Sequence, residues 1–173
     1  MLITNGGKQA IYNLFQVLLN PGDQVLIPAP YWLSYPEIAA LAGADVVTIP
    51  SAASDGFQLD LDRLEAEITS KSRLLVLNTP GNPTGRVMSK DELLALADLL
   101  RRHPQLLVIS DEIYEYLLAE GHAHHSVAAL APDLKERYFT VNGFAKGWAM
   151  TGWRLGYLAG HADVIRAAAA LQS

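Results

Sequence analysis

Leu106-Leu107-Val108-Ile109-Ser110-Asp111-Glu112-Ile113-Tyr114 opens with four consecutive apolar residues and ends in two carboxylates and a phenol. Leu74-Leu75-Val76-Leu77, followed by Asn78, has the same form earlier in the chain. A strand with one wet face alternates apolar and polar residues. A short, continuously apolar run reads instead as a strand buried on both faces, the kind found in parallel sheets covered by helices on both sides. These two runs therefore set the fold class.

Outward from them, strand and helix patterns alternate. Val25-Leu26-Ile27, Val46 to Ile49, Tyr138 to Val141 and Leu155 to Leu158 read as further strands. Gly6-Gly7 opens a helix with Ile11, Leu14, Phe15 and Leu18 on one face, closed by the turn signal Asn20-Pro21-Gly22. Ser34-Tyr35-Pro36-Glu37 has the form of a capping box with Ser34 as N-cap, and its helix runs to Gly43. Asp60 can cap a short helix carrying Leu61, Leu64 and Ile68. Ser89-Lys90-Asp91-Glu92 is a second capping box, before a helix with Leu93, Leu96, Ala97 and Leu100 that stops near His103-Pro104. Ala162 to Leu171 is the final helix. The alternation predicts an α/β fold, three layers deep, with a mostly parallel sheet.

The 173 residues suffice for about one domain with a real core. Thirteen Lys and Arg against eighteen Asp and Glu give a net charge of −5, with no basic excess to suggest nucleic-acid binding. No apolar run reaches the ~18 residues of a membrane span. The absence of cysteine excludes disulfides and thiolate metal sites and fits a reducing compartment, so the expected location is cytoplasmic. The first residues, Met1-Leu2-Ile3-Thr4, lack the charged region of a signal peptide.

In open α/β sheets ligands bind beyond the carboxyl ends of the strands, so the residues after each strand are the candidates. After Val141 comes Asn142-Gly143-Phe144-Ala145-Lys146, and Arg154 follows eight residues later. No carboxylate lies between Asn142 and Tyr157. Lys146 is expected to be partly desolvated, which with the lack of an acidic neighbour lowers an amine's pKa and frees it as a nucleophile. Arg154 keeps its charge and suits a permanent anion such as phosphate. Asn5-Gly6-Gly7-Lys8 leads into a helix start, where free backbone N–H groups favour an anion, although the spacing is not that of a P-loop. Asn78 to Gly85 is a loop with two prolines that can fix the amide of Asn82 as a donor. Asp111 ends an apolar strand, where a carboxylate wants a cationic partner such as a pyridinium nitrogen, or serves as a helix N-cap. Tyr114, a helical turn on, could aim its hydroxyl at the same space, and Trp32 could offer a stacking face or core packing. His122, His124 and His125 share one loop, which reads more readily as solvated than as a metal site.

Five stretches together carry a family resemblance: Thr4 to Ala10 (TNGGKQA), Pro28 to Pro36 (PAPYWLSYP), Asn78 to Gly85 (NTPGNPTG), Ser110 to Tyr114 (SDEIY) and Val141 to Tyr157 (VNGFAKGWAMTGWRLGY). In this order they resemble the class I, fold-type I aminotransferases that use pyridoxal 5′-phosphate, most nearly the aspartate aminotransferase group. The resemblance implies the cofactor-binding large domain over residues 1–173, with a seven-stranded sheet whose last strand is antiparallel. It implies Lys146 as the Schiff-base lysine and proton carrier, and Asp111 as the carboxylate that keeps the pyridine nitrogen protonated. Asn82 and Tyr114 would be donors to the ring oxygen, and Trp32 the stacked aromatic. Gly7 and Lys8, the latter mainly through its backbone, would bind the phosphate together with Arg154. Trp32 and Asn82 would also touch the substrate carboxylate. Gly143 and Ala145 stand where many family members have serine, which removes hydroxyl contacts to phosphate.

The implied reaction is transamination between an amino acid and a 2-oxo acid, with aspartate and glutamate the expected substrates, and the implied assembly is a homodimer. The family's N-terminal segment and C-terminal small domain are expected to be absent from these residues, and with them the arginine for the substrate α-carboxylate. Rival readings are a β-lyase or decarboxylase on the same scaffold, or an isolated cofactor-binding fragment without transaminase activity.

Overall fold

A computed structural model describes all of residues 1–173. Seven strands form one sheet: β1 (Leu2–Asn5), β2 (Gln24–Pro28), β3 (Asp45–Ile49), β4 (Ser72–Asn78), β5 (Leu107–Asp111), β6 (Tyr138–Gly143) and β7 (Leu155–Ala159). Their order across the sheet is β1-β7-β6-β5-β4-β2-β3. Only β7 runs against its neighbours, pairing antiparallel with both β1 and β6. The mostly parallel, seven-stranded sheet read from the sequence is therefore present.

Helices α1 (Gly6–Leu18), α2 (Ser34–Leu41), α3 (Leu61–Ala66), α4 (Lys90–Arg102), α5 (Val127–Leu130) and α6 (Ala162–Gln172) cover the sheet. The continuous apolar runs are explained by two separate cores. Val76, Ile109, Phe139 and Val141 point to the side of α1, α2 and α6, where they meet Leu14, Phe15, Ile38 and Ala168. Leu75, Leu77, Val108 and Tyr138 point to the other side and meet Leu64 of α3 and Leu93, Leu96 and Leu100 of α4. Alternation along a strand thus sends apolar side chains into both layers, as buried parallel strands require.

Two of the helix starts expected from the sequence follow local chemistry. Ser89 and Glu92 form the reciprocal capping box of α4, and the Asp60 side chain accepts from the Arg63 N–H at 3.0 Å to cap α3. The box expected at Ser34 does not form. Ser34 is already the first helical residue, and the position before it, Leu33, has helical rather than extended dihedrals. Tyr35 N–H bonds the Trp32 carbonyl at 3.1 Å, so the chain is turning before Ser34 and leaves no extended N-cap for a hydroxyl to serve. Short 3₁₀ turns at Ala53–Asp55, Pro132–Arg137 and Thr151–Trp153, and the one-turn α5, were not legible from hydrophobic period.

Candidate active site

The carboxyl ends of β4, β5 and β6 and the start of α1 surround a cavity of about 220 Å³. Gly7, Lys8, Trp32, Asn82, Asp111, Tyr114, Lys146 and Arg154 all line it. Every residue singled out from the sequence as a site residue is thus brought to one place, from segments spread over most of the chain.

Asp111 is the last residue of β5, with its side chain directed to the α1–α2 side by the strand's alternation. It is only 5 % exposed. Its Oδ2 accepts from the Tyr35 hydroxyl at 2.7 Å, and its Oδ1 accepts from the Ile113 N–H at 3.3 Å. Burial pushes its carboxyl up to about 6; the donations from Tyr35 and Ile113 oppose that rise, and the Glu112 charge adds to it. The alternative reading of Asp111 as a helix N-cap is corrected: no helix follows β5, and the side chain caps a turn two residues on. Tyr114 likewise sits in hydrogen-bonded turns, not on a helix, with Leu117 N–H bonding its carbonyl at 2.8 Å.

Asn78 ends β4 directly beside Asp111 in the parallel register. Its side-chain amide donates to the Asp111 backbone carbonyl at 2.9 Å, and its Oδ1 accepts from the Asn82 N–H at 2.7 Å. The loop that carries Asn82 is therefore tied to the strand end that carries Asp111. The Thr79-Pro80 and Asn82-Pro83 peptides in this loop are both cis.

The opposite end of the cavity is cationic. Gly6 packs against Arg154 so closely that a Cβ there would come within 2.6 Å of Nη2. Arg154 itself has φ 53°, after the 3₁₀ turn, and its Nη1 donates to the Thr151 carbonyl at 3.2 Å. The start of α1 can reach this position because β7 carries glycine at its point of contact. A Cβ on Gly156 would lie 2.5 Å from the Gly6 carbonyl carbon and 2.6 Å from the Gly7 nitrogen. A guanidinium beside helix-start N–H groups is an arrangement that favours an anion.

Two lysines complete the lining. Lys8 Nζ lies 4.9 Å from the centre of the Trp32 ring, so its side chain has a place of its own beyond the backbone role expected for it. Lys146 Nζ lies 5.6 Å from the centre of the Tyr114 ring. The partial desolvation expected for Lys146 is not found in this chain. The residue is exposed, because the loop between β6 and the 3₁₀ turn lies at the rim, where Phe144, Trp148 and Trp153 are exposed as well.

Tyr35, Asn78, Ile11 and Ile113 also line the cavity, beyond the residues expected there, and so does Ala145, which stands at a serine position of the family. Of these, Tyr35 had a usable signal, its position three residues after Trp32 at a helix start, which places both rings on one face. They meet edge to face, with centroids 5.4 Å apart and planes at 89°. The histidine loop is resolved differently from either reading. His124 is directed at the buried Glu112, Nε2 to Oε2 at 3.2 Å, while His122 is exposed. Glu112 also accepts from the hydroxyls of Ser110 and Ser126, both at 2.9 Å, on the sheet face opposite Asp111.

The family model for aminotransferase class I and II matches residues 1–173. A bifunctional aspartate aminotransferase and glutamate/aspartate-prephenate aminotransferase of Petunia hybrida is 51% identical over the whole chain, which spans 36% of that protein. A probable aspartate/prephenate aminotransferase of Rickettsia bellii is 47% identical, again over the whole chain and 43% of the relative. Among solved structures, the aspartate aminotransferase of Rhizobium meliloti superposes with a TM-score of 0.96 at 41% identity, over 98% of this chain and 42% of that one. The Thermus thermophilus aspartate aminotransferase with maleate gives 0.92 at 48% identity, over 98% and 43%. The chain therefore spans less than half the length of these relatives. With a match that runs from its first residue to its last, this chain belongs to the aminotransferase class I and II family.

Proposed function

We propose that this chain forms the pyridoxal 5′-phosphate site of an enzyme that moves an amino group between an amino acid and a 2-oxo acid. The observation that carries the reading is the division of one cavity into an anion-binding end at Gly7 and Arg154 and a buried carboxylate end at Asp111, with the Lys146 amine in its lining. A phosphorylated, cationic heteroaromatic aldehyde matches both ends. Asp111 uses one donor on each oxygen, whereas an ionised carboxylate has about four acceptor positions, so capacity remains for a ring N–H. The residues present thus fit the group.

In this reading the backbone of Gly7 and Lys8 and the Arg154 guanidinium hold the phosphate. Trp32 offers an apolar face to the ring, and Asn82 and Tyr114 donate to its phenolic oxygen. Asp111 stabilises positive charge at the ring nitrogen. Pyridoxal 5′-phosphate, when bound, supplies an electron-withdrawing ring that takes up the electron pair left at a substrate α-carbon. Lys146 would hold the cofactor through its amine, and the same amine would carry the substrate α-proton. Asn82 and Trp32 are also assigned to the substrate carboxylate.

Aspartate and glutamate are the proposed amino-acid substrates. Both relatives are named for aspartate and prephenate, and the Petunia hybrida one for glutamate as well; we extend aspartate and glutamate to the protein that carries this chain. A homodimer is part of the proposal, supported by exposed apolar side chains such as Trp153, 71 % exposed, and Trp148, 58 % exposed. A cytoplasmic setting is supported by the cysteine-free composition. No helix is long and apolar enough to cross a membrane.

The test is to incubate the chain with pyridoxal 5′-phosphate, reduce with borohydride and map the modified residue by mass spectrometry. The expected result is one trapped adduct on Lys146. A Lys146→Ala variant that traps the cofactor equally well at another residue overturns the assignment.

A further inference from the structure

We propose that Tyr35 is a positioning residue of this site, whose phenol holds Asp111 as an aimed carboxylate and whose ring fixes Trp32 beside it. The proposal rests on the cofactor reading above for its purpose, although the contact itself exists without cofactor.

Tyr35 and Asp111 lie far apart in sequence and meet through the fold. Tyr35 is in the first turn of α2 and 1 % exposed, and Asp111 ends β5 at 5 % exposed. A buried phenol and a buried carboxylate each need a partner. Their mutual bond, Oη to Oδ2 at 2.7 Å, satisfies both. Tyr35 is the one side chain that donates to the Asp111 carboxylate; the other donor to it is the longer backbone contact from Ile113. The bond therefore fixes which oxygen faces α2 and leaves the remaining acceptor positions toward the cavity that Asp111 lines. The same ring meets Trp32 edge to face. One side chain thus joins the carboxylate and the aromatic wall of the cavity.

Tyr35 is suited to remain a donor. Burial first, and then the Asp111 charge, raises its own hydroxyl pKa well above the ordinary tyrosine value, so the proton stays on the phenol. Its donation stabilises the ionised form of Asp111 against burial, which pushes the carboxyl up to about 6. Without the phenol the carboxyl rises further, and near neutral pH a larger part of it is uncharged. The other titratable groups around this space are Lys8 from α1, Glu112 and Tyr114 from the segment that follows Asp111, and Lys146 and Arg154 from the segment after β6. A neutral Asp111 cannot balance a protonated ring nitrogen, so cofactor binding should follow its ionisation.

The experiment uses the full chain with Tyr35→Phe, which keeps the ring and removes only the hydroxyl. Carbon-13 NMR titration of the Asp111 carboxyl, done without cofactor, is expected to give a midpoint near 6 in the unaltered chain and one at least about one pH unit higher in the variant. The pH at which affinity for pyridoxal 5′-phosphate falls to half should move up with it. Should Tyr35→Phe not fold, 3-fluorotyrosine placed at position 35 keeps the shape, donates more strongly and should move both midpoints down. An unchanged carboxyl midpoint, or a loss of affinity by the same factor at every pH, overturns the proposal, because Tyr35 would then be packing only. Failure of the cofactor reading is distinguishable, since it appears in the unaltered chain as no trapped adduct on Lys146, whatever the carboxyl titration gives.

Discussion

The Asn78 side chain donates its amide to the backbone carbonyl of Asp111 across the parallel β4–β5 pair, and takes the backbone N–H of Asn82 on its own oxygen. One residue thus connects the strand end bearing the cavity's carboxylate with the loop bearing its proposed amide donor. Both groups that it serves are partly withdrawn from water. Asn78→Ala leaves a carbonyl and an N–H without these partners, which costs about 1–3 kcal/mol. Urea unfolding should show that loss. Asn82→Ala keeps the backbone N–H to Asn78 and removes only the free amide. It should lower affinity for pyridoxal 5′-phosphate with a much smaller loss of stability. Equal losses of stability in the two variants would contradict this division of labour.

Asp111 should cost the cofactor-free chain stability at neutral pH. Its folded value of about 6 lies above the ordinary 3.8, chiefly through burial. A raised value means that the proton is held more tightly in the folded state. The associated stability is complete below the unfolded pKa and is lost as pH rises through about 6. A shift of roughly two units corresponds to about 3 kcal/mol. Asp111→Asn does not titrate, so its stability relative to the unaltered chain should improve by about 2–3 kcal/mol between pH 4 and pH 7 and stay level above. Comparing the two at each pH cancels the other carboxylates, including Glu65, which is held down to about 2 by its bonds to Arg102 and His103. A difference that does not change with pH would sink the argument.

The fold was legible because it depends on patterns that lie within single segments. Leu74 to Leu77 and Leu106 to Ile109 announce strands buried on both faces, and both cores use them as expected. The site was legible for residues that follow a strand or open a helix, such as Asp111, Lys146 and Gly7, because topology brings those ends together. The spacing from Trp32 puts Tyr35 beside the aromatic wall, but its bond to Asp111 is not legible, because nothing in the local sequence signals a contact with an aspartate on another element. Lys146 was placed correctly and its surroundings were not. Apolar neighbours in sequence suggested burial, but Phe144 and Trp148 lie exposed at the rim and leave the lysine open.

The two serine boxes offer a direct comparison. Ser89 accepts from the Glu92 N–H and Glu92 returns a bond to the Ser89 N–H, so Ser89→Ala should cost about 1 kcal/mol. Ser34 stands inside α2 and caps nothing. Ser34→Ala should cost clearly less, and alanine's higher helix propensity acts in its favour. Thermal unfolding of the two variants decides the matter. A larger loss at Ser34 than at Ser89 would mean that the turn before α2 depends on a hydroxyl after all.

Gly156 is the position at which a methyl group should do most harm to the anion site. It is buried in β7, opposite Thr4 on one side and Gly143 on the other. The atoms a Cβ would meet, the Gly6 carbonyl carbon at 2.5 Å and the Gly7 nitrogen at 2.6 Å, are backbone and cannot swing aside. Gly156→Ala must therefore push the start of α1 off the sheet, at a cost of about 1–3 kcal/mol. The displaced N–H groups of that first turn are those proposed to hold phosphate beside Arg154. Affinity for pyridoxal 5′-phosphate, read by isothermal calorimetry, should fall in Gly156→Ala. Gly152→Ala is the matched control, since nothing lies within 4 Å of its would-be Cβ. That variant should keep its stability within about 0.5 kcal/mol and its cofactor affinity unchanged. If Gly156→Ala instead bound the cofactor as tightly as the unaltered chain, the helix start could not be what grips the phosphate, and Arg154 would have to hold it alone.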